Sequence, residues 1–463
     1  MEKIETVTSE VLKNVKPSEE EKVELKALAK DVIESVDKAA SDLNVDAFGM
    51  LVGSTARDTW ISGEKDIDVF IMLPTAMSRE ELESAGLTIA KNCAPEYEER
   101  YAEHPYIRAK FGGYDVDIVP CFRVEDPSEI RSAVDRTPFH NEYIKREIRG
   151  LEDEVLLLKQ FMRGVGVYGA ELKIHGFSGY LCELLILKYR SFSDVVKSSS
   201  DWKFGETIDI KGTGTYEGDD PLIVIDPVDP NRNVAAAVSL DSYSRFIDAS
   251  RSFMCGPDIS YFFPPPVSPI SKEDLARVIE ERGTELIAIV LDVPDMVDDL
   301  LFPQLYKAER SVLGLLKRLD FCVFNSGVWA EGLKAVILLE MEVSELPKIK
   351  KILGPPVTLK DRGENFKKKH ETYPISIENG RYVAEIPRKY KNVVDLLEGE
   401  LLSCSLGKNI SASLESYEIL TNEKILFEGF DQFLGGYFKK NQLLSLNKDK
   451  SAMNRFIDVD KVL

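Results

Sequence analysis

Two aspartates on a short alternating run, preceded by a glycine-serine turn, limit most what this chain can fold into. Asp66-Ile67-Asp68 opens an apolar run, and Gly53-Ser54 ends an earlier one. Side chains two residues apart on a strand point to the same side, so Asp66 and Asp68 share one space. Two adjacent carboxylates repel unless a cation lies between them, and oxygen-only ligands select Mg²⁺. An isolated pair usually ends a strand in solvent, but the turn before this one favours a metal site on a sheet.

A later apolar run supplies further carboxylates and completes a reaction centre. Asp115 and Asp117 share one face of the strand predicted over 114–124, and Asp117 is the expected third metal ligand. Three carboxylates on adjacent strands can hold two Mg²⁺ ions, one activating a 3′-hydroxyl and one steadying pyrophosphate. The glycine turn lets Ser54 bond a triphosphate oxygen, while Arg57 supplies positive charge. The pattern predicts metal-dependent nucleotidyl transfer.

The apolar spacing along the chain predicts a multi-domain α+β protein. Four prolines within residues 262–269 predict an extended connector between domains. We therefore expect a catalytic domain over 1–150, a mainly helical domain over 151–270 and a small α/β body with a tail over 271–463. The predicted helices cover 18–43, 78–92, 151–162, 180–189 and 305–319, and the predicted strands cover 47–53, 66–73, 114–124, 285–291 and 335–343.

The charge is distributed unevenly. The formal net charge is −20, yet residues 301–463 carry 25 Lys and Arg against 22 Asp and Glu. Basic residues in this part form two clusters, which predict a phosphate-backbone partner, although solvated helix faces explain either cluster equally well. The clusters are Lys348, Lys350, Lys351, Lys360, Arg362, Lys367, Lys368 and Lys369, and Arg388, Lys389 and Lys391.

The sequence also bears on where the protein is located and on the role of its cysteines. No apolar run approaches the length of a membrane span, and the first residues lack the pattern of a secretory signal, so we expect a cytoplasmic protein that does not cross a membrane. The six cysteines are scattered singly, which argues against a structural zinc site.

Several motifs carry a resemblance to a known family. Gly53-Ser54 with Asp66-x-Asp68 resembles the signature of the polymerase-β nucleotidyltransferase superfamily. Four further segments resemble the archaeal class I CCA-adding enzymes more narrowly. They are Arg136–His140, Gly166–Leu172, Gly176–Tyr180 and Asp226–Asp229.

The resemblance implies a fold and an activity. The fold would be a polymerase-β-like head, a helical neck that binds nucleotide and a ferredoxin-like body with a tail that binds tRNA. The activity would be template-independent addition of CCA to the 3′ end of tRNA from CTP and ATP, with release of pyrophosphate. It also allows a homodimer. A poly(A)-type or oligoadenylate-type transferase acting on another RNA shares the first motifs and is the alternative.

The resemblance also implies roles for particular residues. Asp66, Asp68 and Asp117 would bind Mg²⁺, and Arg232 would read the base edge. The incoming ATP or CTP would contact Ser54, Arg57, His140, Lys159 and Tyr168. The family can carry Glu first in its carboxylate pair, and Asp66 preserves that charge and ligand type.

Each of these roles has a simpler alternative. Lys159 can extend to solvent from its apolar helix, Tyr168 can be a packed core residue, and His140 can be structural. The segment 164–169 spells G-x-G-x-x-G, but it follows a helical pattern and not a strand. It therefore predicts a helix-ending turn and no dinucleotide site.

Overall fold

The computed structural model describes residues 2–94, 96–101, 105–413 and 417–439. The chain separates into two compact units, Met1–Pro265 and Pro266–Leu463. The three-domain division predicted from the sequence stays a prediction, and the part of its tail over 440–463 lies outside the described residues. Within the described ranges, no helix is both long enough and apolar enough to cross a bilayer.

The first unit mixes a sheet with many helices. Its helices are α1 Glu2–Val15, α2 Glu19–Asp42, α3 Gly53–Ala56, α4 Arg79–Cys93, α5 Arg136–Glu147, α6 Glu152–Gly164, α7 Gly179–Tyr189, α8 Phe192–Ser199 and α9 Leu240–Cys255. Its strands are β1 Phe48–Val52, β2 Asp66–Leu73, β3 Tyr97–Tyr101, β4 Pro105–Phe111, β5 Tyr114–Phe122, β6 Glu206–Ile208 and β7 Leu222–Val224.

A five-stranded sheet in the order β1-β2-β5-β4-β3 forms the centre of the first part of this unit. The β2–β5 pairing is parallel and the other pairings are antiparallel. Helices α2 and α4 pack on the sheet and bury their apolar residues against it. Both begin at a capping box, Ser18 with Glu21 and Ser78 with Glu81, which satisfies backbone N–H groups of the first turn. The helices and strands predicted here are confirmed.

Helices α6 to α9 form the second part of the unit around an aromatic core. Phe161 of α6 is fully buried, and its ring contacts those of Phe192, Phe253 and Phe262 edge to face. Such edge-to-face pairs are favoured by the ring quadrupoles. Helix α1 packs on α6, so the start of the chain contributes to this core. The expected helical character of this region is confirmed.

The second unit contains two smaller sheets. Its helices are α10 Lys272–Arg282, α11 Asp298–Arg318, α12 Lys360–Lys369, α13 Val393–Glu400, α14 Lys408–Ser413 and α15 Phe430–Lys439. Its strands are β8 Glu285–Asp292, β9 Cys322–Glu331, β10 Lys334–Val343, β11 Ile349–Pro356, β12 Ile375–Glu378, β13 Arg381–Pro387 and β14 Tyr417–Thr421.

The larger of these sheets is antiparallel, in the order β14-β8-β10-β9. One face packs against α11 and α13, and the opposite face packs against α10 and α15. Strands β11, β13 and β12 form the smaller sheet, on which α12 packs. The helix and strands predicted for this region are confirmed, and α11 begins earlier than expected. The ferredoxin-like description of the body stays a prediction.

Helix α4 approaches the sheet closely at one glycine, which gives a test of this packing. A Cβ on Gly86 would lie 2.4 Å from Cγ of Pro120 in β5. We expect Gly86→Ala to lower the free energy of unfolding by about 1–3 kcal/mol, because the rigid proline ring cannot move aside. Urea unfolding of the full chain measures this loss. The control is Ser84→Ala, an exposed position on the same helix, and an unchanged midpoint in Gly86→Ala would contradict the packing.

Candidate active site

The register between β2 and β5 brings the predicted carboxylates to one edge of the sheet. Asp68 pairs with Asp117, and Asp66 pairs with Asp115, across the parallel ladder. Residues at matched positions of neighbouring strands have their side chains on the same face. The structure therefore brings together the three aspartates that the sequence predicts as metal ligands.

Gly53 packs directly against one of these carboxylates. Its φ angle is +77°, and a Cβ at this position would lie 2.2 Å from Oδ2 of Asp68. Only glycine fits this position, because any side chain would strain the backbone at this φ angle and would displace the Asp68 carboxylate. Helix α3 follows at once and carries the half-buried Ser54. The glycine-serine turn thus places Ser54 beside the carboxylate edge.

The third carboxylate already has a cationic partner. Arg108 of β4 lies opposite Asp117 and donates from Nε and Nη2 to its two oxygens, at 2.6 and 2.5 Å. Among the described residues, no group of three or more His, Cys, Asp or Glu side chains is arranged to hold a metal ion. Asp66 and Asp68 fit a hard cation that keeps its waters and takes one or two protein carboxylates. Asp117 would bind the same cation only after its ion pair with Arg108 breaks.

Burial makes two of these carboxylates, Asp66 and Asp68, costly to ionise. It raises the pKa of Asp68 from 3.8 to about 6, and the negative charge of Asp117 adds to the effect. Burial also raises the pKa of Asp66, against the opposing charge of Arg108. Such a site gains from a cation placed beside it.

A second cluster lies behind the first and contains a residue that the sequence reasoning missed. Glu183 of α7 is fully buried, and its Oε1 accepts hydrogen bonds from Nε of Arg57 at 2.8 Å and from the hydroxyl of Thr59 at 2.6 Å. Nζ of Lys159 donates to the carbonyl oxygen of Thr59 at 2.7 Å. Lys159 is 1% exposed, so it does not extend to solvent. Burial lowers its pKa, while the charge of Glu183 acts in the opposite direction.

Tyr168 borders this cluster. A Cβ added to Gly179 would lie 3.2 Å from the Tyr168 hydroxyl and 3.5 Å from Nζ of Lys159, so both groups meet at the start of α7. Burial raises the pKa of Tyr168. The guanidinium of Arg163 covers its ring at 4.8 Å and forms an ion pair with Glu64.

The glycine-rich segment before Tyr168 is the helix-ending turn that the sequence predicts. Helix α6 ends at Gly164, whose missing Cβ would lie 2.0 Å from the carbonyl oxygen of Tyr261. This glycine therefore allows close packing of two backbone segments. No strand precedes it, since the residues before it belong to α6.

A third cluster surrounds the buried Asp226. One of its oxygens lies 2.8 Å from Nε2 of His140 and accepts from Nη1 of Arg232 at 2.8 Å, while the other accepts from the Tyr180 hydroxyl at 3.0 Å. The rings of His140 and Tyr180 are stacked at 4.1 Å. Burial opposes ionisation of Asp226, but His140 and Arg232 outweigh it and hold its pKa below the ordinary value. Two predicted nucleotide contacts, His140 and Arg232, thus share one buried anion.

The three clusters are linked. Arg57 lowers the pKa of Asp68 by its charge and bonds Glu183. Tyr180 and Glu183 lie one turn apart on α7 and so share a helix face. All nine predicted site residues therefore fall in one region of the first unit. The sequence did indicate Glu183, because a carboxylate within an otherwise apolar helix must be paired if it is buried.

The raised pKa of Asp68 gives a pH-dependent test. Its folded pKa, about 6, lies above the unfolded value of 3.8, so ionised Asp68 destabilises the fold as pH rises through this window. We expect Asp68→Asn to be more stable than the wild type at pH 7.5 in EDTA, by about 1–2 kcal/mol, and equally stable below pH 4.

Thermal unfolding across this pH range measures the difference. Asp115→Asn is the matched control on the neighbouring strand, because the hydrogen bond to Lys110 lowers the pKa of Asp115 and its charge therefore stabilises the fold. A stability gap for Asp68→Asn that does not change with pH would contradict the assignment.

Comparison with family models divides the chain into three matches. A model described as "Nucleotidyltransferase domain" matches residues 30–140, one described as "tRNA nucleotidyltransferase, second domain" matches 153–263, and one described as "CCA-adding enzyme, C-terminal domain" matches 282–422. Among solved structures, CdnC of E. coli MS115-1 with ATP is 16% identical, covers 56% of this chain and 94% of its own, and has a TM-score of 0.43. The uridylyl transferase Cid1 has a TM-score of 0.44 at 16% identity, covering 58% of this chain and all of its own.

Curated relatives match most of the chain. The CCA-adding enzyme of Methanosarcina acetivorans is 49% identical over 90% of this chain and 93% of its own length. Those of Methanothermobacter thermautotrophicus and Halobacterium salinarum are 40% and 38% identical, over 92% and 93% of this chain and 97% and 98% of their own. This chain therefore belongs to the family of CCA-adding enzymes, which are tRNA nucleotidyltransferases.

Proposed function

We propose that the chain adds C, C and A to the 3′ end of tRNA from CTP and ATP, without a nucleic-acid template and with release of pyrophosphate. The observation that carries this proposal is the carboxylate edge of β2 and β5 beside a buried pair of cations. The carboxylates are Asp66, Asp68 and Asp117, and the cations are Arg57 and Lys159. A nucleoside triphosphate and a divalent cation supply the opposite charges.

The reaction is an in-line attack of the RNA 3′-hydroxyl on the α-phosphate, with pyrophosphate as the leaving group. Arg57 and Lys159 bind the triphosphate and offset the charge that develops on the leaving group. Ser54 donates to a triphosphate oxygen, and Tyr168 contacts the nucleotide beside Lys159. Because Lys159 is anchored on the carbonyl of Thr59, its Nζ is in place before the substrate binds.

Nucleotidyltransferase-family enzymes generally depend on a divalent metal, and here we propose Mg²⁺. Asp66, Asp68 and Asp117 would hold it, and when bound it would activate the 3′-hydroxyl and neutralise phosphate charge. Arg108 would release Asp117 as the cation binds, because both compete for the same two oxygens.

Base selection is assigned to the cluster around Asp226. Arg232 is partly exposed, and one of its terminal nitrogens bonds Asp226. Its remaining donors are able to engage acceptor atoms of a base. His140, stacked on Tyr180 and bonded to the same carboxylate, is assigned a second contact with the nucleotide.

The second unit is assigned to tRNA binding through phosphates and shape. Some members of the basic clusters predicted from the sequence are ion-paired within this unit, and others are exposed without an ion pair to a described residue. The paired members are Lys351, Lys367, Arg388 and Lys389. The exposed members on α12 are Lys360, Arg362, Lys368 and Lys369. The homodimer and the cytoplasmic location expected from the sequence belong to the same proposal.

The poly(A)-type or oligoadenylate-type alternative is not favoured. The curated relatives that this chain matches over nearly their whole length are named CCA-adding enzymes. Nucleotide use separates the two activities. We expect the purified chain, with Mg²⁺ and tRNA lacking its CCA end, to incorporate both labelled CTP and labelled ATP. Incorporation of ATP alone would favour the alternative, and no incorporation would refute nucleotidyl transfer.

A second experiment tests the carboxylates. We expect Asp68→Ala and Asp117→Asn to reduce transfer at least about a hundredfold, because removing preorganised stabilisation of charge costs this much, while tRNA binding stays unchanged. Initial rates of CTP incorporation and a gel-shift titration with tRNA measure the two properties. Asp115→Asn is the matched control, since Asp115 shares the strand but pairs with Lys110. An inactive Asp115→Asn with an active Asp117→Asn would reverse the assignment.

A further inference from the structure

The buried Glu183 is a charged residue to which the proposed reaction gives no role. Its side chain is fully buried in α7, within the run Gly179–Tyr189, which is otherwise almost entirely apolar. A buried carboxylate is costly unless it is paired and hydrogen-bonded. The structure pairs it with Arg57 and Thr59, so its position depends on residues that follow the catalytic turn.

The two oxygens of Glu183 have different environments. Oε1 accepts both hydrogen bonds, while Oε2 is buried and has no hydrogen-bond partner among the described residues. A buried acceptor without a donor destabilises the protein. The negative charge is therefore kept at a structural cost.

The geometry leaves the terminal nitrogens of Arg57 available to a phosphate. Glu183 engages Arg57 through Nε, the nitrogen nearest the backbone, and the two terminal nitrogens have no hydrogen-bond partner among the described residues. Lys159 is held by the carbonyl of Thr59, whose hydroxyl bonds the same Oε1 of Glu183. One carboxylate thus orients a cation directly and, through Thr59, the anchor of a second.

From these contacts we infer that Glu183 is a positioning residue for the triphosphate site, which holds Arg57 and Lys159 in the geometry that binds the incoming nucleotide. This inference rests on the proposed function, because it gives Arg57 and Lys159 the task of binding triphosphate. Glu183 contacts neither the substrate nor the metal.

The test replaces the charge and keeps the shape. We expect Glu183→Gln to raise the Kd for CTP and for ATP, measured by calorimetry without tRNA, about tenfold, as for loss of one hydrogen bond to a charged group. The KM values should rise with the Kd, and kcat should fall as well, because Arg57 and Lys159 also offset the charge that develops on the leaving group. An unchanged Kd would overturn the inference.

The second unit offers a matched control. Glu340 of β10 is also fully buried and accepts from Nε of Arg282 at 2.6 Å and from the hydroxyl of Thr284 at 2.8 Å. We expect Glu340→Gln to lower the unfolding temperature and to leave the Kd for CTP unchanged. If Glu340→Gln weakened CTP binding as much as Glu183→Gln, general loss of stability would explain both, and the positioning role would be refuted.

A double variant keeps the test decisive if Glu183→Gln alone folds poorly. Arg57→Met removes the charge that Glu183 balances, so Arg57→Met with Glu183→Gln leaves no uncompensated pair. We expect Arg57→Met to weaken CTP binding and the added Glu183→Gln to weaken it by less than Glu183→Gln does alone, because only the path through Thr59 to Lys159 remains. A loss in the double variant equal to the product of the two single losses would show that Glu183 does not act through Arg57.

The pH dependence supplies a readout that a purely structural role would not change. Lys159 faces the charges of Glu183, Glu64 and Arg57 and the thiol of Cys182, and Glu183 is the strongest of the groups that favour its protonated form. Without Glu183 its pKa falls further, so Lys159 loses its proton at lower pH. The Kd for CTP of Glu183→Gln should therefore begin to rise at lower pH than that of the wild type, and coincident pH profiles would count against the inference.

These outcomes separate failure of the inference from failure of the proposed function. Calorimetry reads nucleotide binding without any transfer, so an inactive wild type that binds CTP would refute the reaction and still test Glu183. An active wild type with an unchanged Kd in Glu183→Gln would refute only the positioning role.

Discussion

Parallel pairing of β2 with β5 is the constraint on which the rest of the candidate site depends. The register sets Asp68 beside Asp117 and Asp66 beside Asp115, which no antiparallel hairpin between these runs would do. It also fixes what lies next to each carboxylate, since Gly53 must approach Asp68 and Arg108 must lie opposite Asp117. The surroundings of each carboxylate therefore depend on how β2 and β5 pair. Helices α2 and α4 pack on the sheet and stabilise it.

Most carboxylates at the candidate site have an oppositely charged partner. Asp117 has Arg108, Glu183 has Arg57, and Asp226 has His140 and Arg232. Asp68 differs, since burial and a like charge both raise its pKa. It is the carboxylate whose surroundings most favour an added cation.

Local patterns predicted the carboxylates and the main helices, because periodicity and turn chemistry act over short distances. Asp66 and Asp68 could be recognised from their spacing together with the preceding Gly53-Ser54 turn, and the capped helices α2 and α4 from their periodicity and capping residues. Arg108 could not be paired with Asp117 beforehand, since that contact depends on the β4–β5 register. Tyr180 meets Asp226, and Glu183 meets Arg57, across long separations in sequence, and no periodicity encodes which buried polar residues will meet.

Two buried glutamates with the same local chemistry show why surroundings decide function. Glu183 and Glu340 each accept from an arginine Nε and a threonine hydroxyl. Glu340 uses its second oxygen as well, with Arg282 and Tyr437 as donors, so its hydrogen bonding is complete within the core. At Glu183 the second oxygen has no donor in the described structure, and the partner arginine lies beside Lys159 and the carboxylate edge. The incomplete pair lies beside the proposed triphosphate site, and the complete pair lies in the core of the second unit.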